Sequence, residues 1–239
     1  MIKEVILDME RDIQISFLRK HGLEYEIDID YAVLIYDRHE VIATASIANN
    51  VMKCFAVHQD YNGQNVTGFM FKHLTDYLRE KGVTHYFVFT SPENEEIFKS
   101  FNMTRIVLTM NTVLLEGGDE IVKVLTNLKN EYKVSDQKKA CVIINANPMT
   151  NGHLYLIEQA ASKSNELLVF VVSEDLSSFP YEVRFKIIKE ATKHLSNVTV
   201  LPSLSYLVSR ISFPKYFLKE DALIKDEQAL LDVLIYKEY

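Results

Sequence analysis

The sequence predicts an α/β protein of two domains, the first built on a mixed β-sheet and the second on a parallel one. Residues 31–36 and 41–48 are apolar runs on either side of the polar stretch DRHE, which is typical of an antiparallel hairpin. Later in the chain, runs that are apolar throughout alternate with amphipathic helical patterns, which indicates a parallel sheet covered on both faces. We therefore expect domains at 1–126 and 139–239, joined by a polar linker at 127–138.

The first domain has the pattern of helix, strands, helix and strands. Apolar residues at Ile13, Phe17 and Leu18 predict a first helix before the hairpin. A third strand, VMKCFAVH, follows the hairpin, and GFMFKHLTDYLREKG is an amphipathic helix ended by Gly82. We then expect the strand VTHYFVFT, a short helix over PENEEIFKSF and one more strand over RIVLTMNTVLLEG.

The second domain alternates strands and helices over five segments: KACVIINA, GHLYLIEQAASKS, ELLVFVVSE, YEVRFKIIKEATKHL and VTVLPS. In parallel α/β sheets, ligands bind beyond the carboxyl ends of the strands. Ser173 and Asp175 sit at the carboxyl end of the second of these strands, so we expect them beside a ligand.

Charge and composition limit the kinds of partner. A net charge of -7 gives no general attraction to nucleic acid or to anionic lipid. The N-terminus is too charged for a signal peptide, and no apolar run approaches the roughly 20 residues of a membrane helix. We expect a soluble cytoplasmic protein without a metal site, in which Cys54 and Cys141 are buried thiols in apolar runs.

Residues 55–105 resemble the GNAT-type N-acetyltransferases in their order of elements. The segment SPENEEIFKSFNM is similar to a family segment, with Asn94, Phe98 and Phe101 in corresponding places. In that family, the loop before the helix carries glycines whose backbone amides hold the pyrophosphate of acetyl-CoA.

The corresponding loop here is NGQNVTG, residues 62–68. The resemblance implies an acetyl-CoA loop with these candidate contacts: Asn62, Gly63, Gln64 and Gly68. Asn65 and Thr67 stand at the two glycine positions of the family, and side chains there would crowd a phosphate. The alternative is a retained scaffold used for packing or docking, with glycines that only shape the turn and the helix entry.

Pro and Gly are scarce, at 5 and 7 residues in all, yet Pro148 and Gly152 fall close together just before His153. An apolar strand precedes this stretch and an amphipathic helix follows it. Gly152 lets the backbone pass close to a nucleotide, and His153 falls in the first helical turn, where amides and the helix dipole favour phosphate. Alternatively, the turn merely caps the helix.

The run Thr150-Asn151-Gly152-His153 resembles the T-x-G-H signature of a nucleotidyltransferase superfamily with a Rossmann-like fold. Two later runs, VVSEDLSSFPYEVR and FPKYFLK, are similar to segments of citrate lyase ligases. A GNAT-like domain followed by a T-x-G-H domain is also the arrangement of that family, so the resemblance covers essentially the whole chain.

The resemblance implies a two-step ligase. ATP and acetate give acetyl-AMP and pyrophosphate, and the acetyl group then passes to the prosthetic-group thiol on the acyl carrier subunit of citrate lyase. Catalysis would consist of positioning and charge stabilisation at the α-phosphorus, with Mg2+ on the polyphosphate.

His153 and Thr150 are the expected catalytic residues at the phosphates. Further nucleotide contacts are expected from Asn147, Pro148, Gly152, Ser173, Asp175, Arg184, Lys215 and Lys219. The planar fork of Arg184 suits phosphate oxygens, but a surface helix Arg paired with Glu182 or Glu190 is an equal alternative. Lys215 and Lys219 belong equally well to a solvated loop.

The superfamily's later Ser/Thr-Ser-x-x-Arg motif, which binds the β- and γ-phosphates, has no counterpart here; SRISFPK has the residue types without the order. We therefore expect an incomplete, C-terminally shortened second domain with weak ATP binding and little turnover by this chain alone. Three other functions stay open: a non-catalytic module that docks citrate lyase, an adenylyltransferase that makes a dinucleotide cofactor, and an N-acetyltransferase.

Overall fold

The computed structural model describes residues 1–118, 121–173, 178–203, 216–218 and 221–238. The chain divides into two compact units. Unit 1 comprises Met1–Ile121 and Arg210–Ile235, and unit 2 comprises Val122–Ser209 and Tyr236–Tyr239. The domain bounds expected from the sequence, 1–126 and 139–239, stay predictions that this division does not test.

The elements follow one another along the chain in the order that their numbers give. The strands are β1 (Ile2–Glu4), β2 (Tyr31–Asp37), β3 (Glu40–Ala48), β4 (Val51–Val57), β5 (Tyr86–Thr90), β6 (Thr104–Leu108), β7 (Val113–Gly117), β8 (Ala140–Ile144), β9 (Leu167–Val171) and β10 (Val198–Pro202). The α-helices are α1 (Asp8–Lys20), α2 (Val66–Glu80), α3 (Glu95–Lys99), α4 (Ile121–Tyr132), α5 (Asn151–Ser162), α6 (Tyr181–Ala191) and α7 (Asp221–Glu238). Short 3-10 turns cover Gln59–Tyr61 and Pro92–Asn94.

Unit 1 contains a seven-stranded sheet in the order β1-β2-β3-β4-β5-β7-β6. The sequence correctly predicted that this sheet is mixed. All neighbouring strands are antiparallel except β4 and β5, which run parallel. Only two residue pairs join β4 to β5, Val51 with Phe87 and Met52 with Val88. Backbone pairing is therefore sparse at the centre of the sheet, between β4 and β5.

Helices pack on both faces of this sheet because its strands carry side chains alternately on each face. Met70, Phe71 and Leu74 of α2 join one hydrophobic cluster, and Phe17 and Leu18 of α1 join another. The spacing of these residues at helical intervals is the pattern that predicted both helices.

One expected strand is wrong. The sequence from Arg105 to Gly117 forms the antiparallel hairpin β6–β7 instead of a single strand. The Thr109 hydroxyl accepts the Thr112 N–H at 2.9 Å, and the Thr109 N–H donates to the Thr112 carbonyl at 2.8 Å. Such a local hydroxyl bond lets the four residues TMNT turn the chain within an otherwise apolar run.

Helix α7 contributes to unit 1 through its apolar residues Ile224, Leu231 and Ile235, all buried. Its buried Glu227 accepts hydrogen bonds from Thr109 Oγ1 and Asn111 Nδ2, each at 2.6 Å. The Glu227 carboxylate, from a distant part of the chain, therefore stabilises the β6–β7 turn.

Unit 2 contains a three-stranded parallel sheet in the order β10-β9-β8, which confirms the predicted strand–helix alternation. Val169 and Val171 of β9 face a cluster with Ile157 of α5 and Ile188 of α6, and Phe170 faces the opposite cluster. The segment expected as a linker is helical as far as Tyr132, since its apolar side chains pack in that second cluster.

Cys54 is buried as expected, but Cys141 is exposed, so the expectation of two buried thiols is wrong for Cys141. Its strand β8 lies at the edge of the three-stranded sheet, where alternate side chains have less cover. Within the described part of the chain, no helix has both the length and the apolar character that crossing a membrane requires.

Replacing Glu227 with Ala should lower the free energy of unfolding by about 1–3 kcal/mol, because two hydrogen-bond donors of the β6–β7 turn lose their acceptor. Urea unfolding measures the change. The exposed neighbour Asp226 is the matched control, and Asp226→Ala should change stability by less than about 0.5 kcal/mol. Equal effects of the two substitutions would contradict the role of Glu227.

Candidate functional site

The candidate site lies at the carboxyl edge of the parallel sheet of unit 2. The segment 145–150 follows β8, Ser173 follows β9, and Ser203 follows β10. Because β8, β9 and β10 are parallel and in register, these segments leave the sheet at the same edge. This is the position at which open α/β sheets bind ligands.

Thr150 and His153 form a reciprocal cap at the start of α5. The Thr150 side chain accepts from the His153 backbone N–H, and His153 Nδ1 accepts from the Thr150 backbone N–H at 3.0 Å. The Thr150 hydroxyl also lies 3.0 Å from Nδ1. The capping interpretation of the sequence is therefore correct in geometry, but the cap includes the imidazole itself.

This cap determines the tautomer of the neutral His153 ring. A backbone N–H can only donate, so Nδ1 acts as an acceptor and carries no hydrogen. The ring proton of the neutral imidazole therefore lies on Nε2, which makes Nε2–H a hydrogen-bond donor. The first turn of α5 thus combines backbone amides, the positive end of the helix dipole and an oriented imidazole donor.

Gly152 lies in the same first turn and is exposed. A Cβ atom built on Gly152 would meet only Thr150 Oγ1, at 3.7 Å, which is ordinary van der Waals contact. Nothing within the described fold therefore requires glycine at this position. The space above Gly152 is open to a ligand that approaches the backbone.

Arg184 is buried, with 1% of its surface exposed, so the alternative of a surface Arg paired with Glu182 or Glu190 is wrong. Its Nε donates to the Phe179 carbonyl at 2.9 Å, and Nη1 donates to the Val172 carbonyl at 2.8 Å. Nη1 also donates to the carbonyl and to Oδ1 of Asn145, both at 3.0 Å. The guanidinium therefore ties together the exits of β8 and β9, and a direct phosphate contact stays a prediction.

Asn147 and Pro148 shape the loop between β8 and α5. The peptide bond between them is cis, and Asn147 Oδ1 accepts from the Phe179 backbone N–H at 3.1 Å. Just before them, the buried Ala146 has a φ of 46°, in the left-handed region. The bond from Phe179 to Asn147 holds this loop, while nucleotide contact by Asn147 and Pro148 stays a prediction.

Ser173 pairs with Ser203 across the same edge. The Ser203 hydroxyl accepts from the Ser173 backbone N–H at 2.9 Å, and the two hydroxyls are 2.7 Å apart. Ser203 and Asn145 are site residues that sequence reasoning missed. Each follows an apolar strand of the parallel sheet, and that position was the signal that could have identified them.

Three expected contacts, Asp175, Lys215 and Lys219, lie outside the described residues, as does the SRISFPK segment. Within the residues that the structure describes, no group of three or more His, Cys, Asp or Glu side chains could hold a metal ion.

The expected acetyl-CoA loop of unit 1 is exposed at Asn62, Gly63 and Gln64. Gln64 Nε2 donates to the Asp60 carbonyl at 3.0 Å, and Gly63 has a φ of 79°. A Cβ atom on Gly68 would lie 2.2 Å from Asn65 Oδ1. The Asn65 side chain therefore covers the first turn of α2, as the crowding argument predicted, while acetyl-CoA binding stays untested.

Strand β8, a loop ending in Thr150-Asn151-Gly152-His153, and helix α5 together define unit 2 as a Rossmann-like domain of the nucleotidyltransferase class. A local sequence match agrees with this class. Phosphopantetheine adenylyltransferase of Streptococcus gordonii is 40% identical over 67 residues, which cover 27% of this chain and 41% of that protein.

A more extensive similarity defines the relationship further. Residues 139–239 match the family described as the citrate lyase ligase C-terminal domain. The chain is 34% identical over 223 residues to the citrate (pro-3S)-lyase ligase of Klebsiella pneumoniae, a match that covers 93% of this chain. The resemblance to citrate lyase ligases is thereby confirmed.

This chain spans 65% of the length of that Klebsiella pneumoniae protein. Among solved structures, FeeM, an N-acyl amino acid synthase from uncultured soil microbes, aligns with 49% of this chain and 90% of its own. That alignment has a TM-score of 0.43 and 10% sequence identity.

Replacing Arg184 with Met should lower the free energy of unfolding by at least about 2 kcal/mol, because buried carbonyl groups at two strand exits lose their donor. Urea unfolding followed by circular dichroism measures this loss. Lys186→Met, on the exposed side of the same helix, is the control and should be nearly neutral. A neutral Arg184→Met would show that these bonds contribute little.

Proposed function

We propose that unit 2 activates acetate with ATP, and that the chain acts as a ligase that acetylates the prosthetic-group thiol on the acyl carrier subunit of citrate lyase. The observation that carries the proposal is the oriented Nε2–H of His153 at the amino end of α5. The similarity to proteins named citrate (pro-3S)-lyase ligase supports the choice of reaction.

In the first step, a carboxylate oxygen of acetate attacks the α-phosphorus of ATP. The bond from that phosphorus to the bridging oxygen breaks, and pyrophosphate leaves with the bonding electrons, which yields acetyl-AMP. Negative charge grows on the α-phosphate oxygens during the attack. A fixed N–H donor at that point stabilises the transition state more than the ground state.

His153 would supply that donor through Nε2, and the amides of the first turn of α5 would add to it. Thr150 would act through His153, because its backbone N–H and hydroxyl both lie 3.0 Å from Nδ1. Arg184 would preserve the spacing of the strand exits that carry the loop. No enzyme nucleophile is required.

In the second step, the carrier thiol attacks the acetyl carbonyl carbon. A thioester forms, AMP leaves with the electrons of the broken carbon–oxygen bond, and the thiol proton passes to solvent. Mg2+ would accompany ATP on its phosphate oxygens.

His153→Ala should reduce acetate-dependent ATP–pyrophosphate exchange by about 100-fold or more, the usual loss when one transition-state donor is removed. The exchange is measured with labelled pyrophosphate, and circular dichroism confirms that the variant is folded. The matched control is His194→Ala in the same unit, whose exposed ring contacts Glu158 at 3.2 Å and should leave exchange within about two-fold.

Two outcomes would contradict the proposal in different ways. Unchanged exchange in His153→Ala would remove His153 from the chemistry. Exchange that depends on a phosphopantetheine acceptor and is indifferent to acetate would replace the ligase with an adenylyltransferase, the alternative favoured by the local match to phosphopantetheine adenylyltransferase.

Gly152→Ala should affect nucleotide binding without disturbing the fold, because the added Cβ makes only an ordinary contact, with Thr150 Oγ1 at 3.7 Å. Helix stability should stay the same or rise by up to about 1 kcal/mol. The KM for ATP in the exchange reaction should rise about ten-fold or more. Gln159→Ala, exposed on the same helix, is the control, and an unchanged KM in Gly152→Ala would mean that the nucleotide does not approach this backbone.

A further inference from the structure

The outer face of helix α6 carries a row of exposed apolar side chains. The inner face of the helix is buried through Arg184 and Ile188. On the outer face, Val183 and Ile187 are each 41% exposed, and Phe179, four residues before Val183, is 40% exposed. Residues four apart lie one above the other along a helix, so these three form one row, here called the α6 row. The outer face of a helix is usually polar, and a contiguous apolar row there marks an interaction surface.

The α6 row begins at the edge of the candidate site. The Phe179 backbone N–H donates to Asn147 Oδ1 at 3.1 Å, and its carbonyl accepts from Arg184 Nε at 2.9 Å. Pro180 follows directly and restricts the backbone of Phe179 to extended conformations. Phe179 is therefore fixed against the loop that leads to His153. From there the row extends roughly 12 Å along α6, at the helical rise per residue.

Positive charge lies along one side of the α6 row. Helical spacing places Glu182, Lys186 and Lys189 next to one another on that side, and all three are exposed. Lys193 follows just beyond the end of the helix, where it is paired with Glu190. This side is thus mainly basic, although the chain as a whole has a net charge of -7. A basic side next to an apolar row is complementary to a partner surface with an apolar centre and an acidic rim.

We propose that the α6 row and its basic side are the docking surface for the acyl carrier subunit of citrate lyase. The inference rests on the proposed function, because the second step requires a protein-bound thiol to reach the acetyl-AMP at His153. A docked carrier must lie beside the site and leave it open to the thiol. The α6 row meets both conditions, since it starts at the edge of the site and continues away from it.

The surface also suits a carrier that has to leave after each transfer. Three apolar side chains and a few lysines make a small interface, and small interfaces are typical of transient complexes. Phe179, at the end of the row beside the site, would contact the arm of the prosthetic group. Val183 and Ile187 would contact the carrier protein itself.

Ile187→Asp tests the apolar row. Titration calorimetry of the full chain with the deacetylated carrier subunit should show a dissociation constant raised about ten-fold or more, because a charge replaces an apolar contact within the interface. The matched control is Ile97→Asp on α3 of unit 1, where the isoleucine is 42% exposed. It should leave the dissociation constant within about two-fold of the wild type. Circular dichroism confirms that both variants are folded.

Lys189→Glu tests the basic side and serves as the second variant if Ile187→Asp does not fold. The reversed charge should raise the dissociation constant about five-fold or more at low salt. Added salt should weaken binding by the wild type more than binding by Lys189→Glu, because screening removes an attraction that the variant lacks. The control is Lys72→Glu, at an exposed lysine of α2, which should bind the carrier as the wild type does.

Unchanged carrier binding in both Ile187→Asp and Lys189→Glu would overturn the docking surface, and so would the absence of binding by the wild type. The proposed function has a separate readout, since acetate-dependent ATP–pyrophosphate exchange needs no carrier. Exchange by a wild type that does not bind the carrier would overturn the docking surface alone. A wild type that binds the carrier without any exchange would contradict the proposed function instead.

Discussion

The candidate site of unit 2 depends on one buried cation. Arg184 donates to carbonyl groups of Asn145, Val172 and Phe179, which belong to three separate segments at the carboxyl edge of the sheet. The Asn145 and Val172 carbonyls lie just past the ends of β8 and β9, and a planar guanidinium can satisfy several acceptors at fixed angles. The loop that carries His153 begins at one of these segments, so its position follows from the same cation.

The local parts of this site could be predicted from the sequence, and the long-range parts could not. Thr150, Gly152 and His153 lie within four residues, so strand–loop–helix periodicity and helix capping place them without tertiary information. Arg184 joins residues up to 39 positions away, and its burial depends on packing that periodicity does not encode. For the same reason, the sequence alone could not distinguish a surface Arg184 from one that contributes to the site.

In unit 1, too, local structure could be predicted from the sequence, and contacts between residues distant in sequence could not. Two apolar runs on either side of a polar stretch predicted the β2–β3 hairpin correctly, but apolar patterning could not reveal the β6–β7 turn, which depends on the Thr109 hydroxyl. The contact of Tyr216 with Phe89 spans 127 residues. No short pattern encodes a partner at that distance, so this contact could be seen only in the folded chain.

Unit 1 is discontinuous, because residues 210–235 complete it after the whole stretch 122–209 of unit 2 has intervened. During synthesis, the sheet from Met1 to Gly117 therefore emerges from the ribosome long before Glu227 and Tyr216 can bind to it. Contacts of this separation slow folding, since a long loop must close before they form. The N-terminal sheet should pass through a nascent state in which these late contacts have not yet formed, and chaperones would meet it in that state.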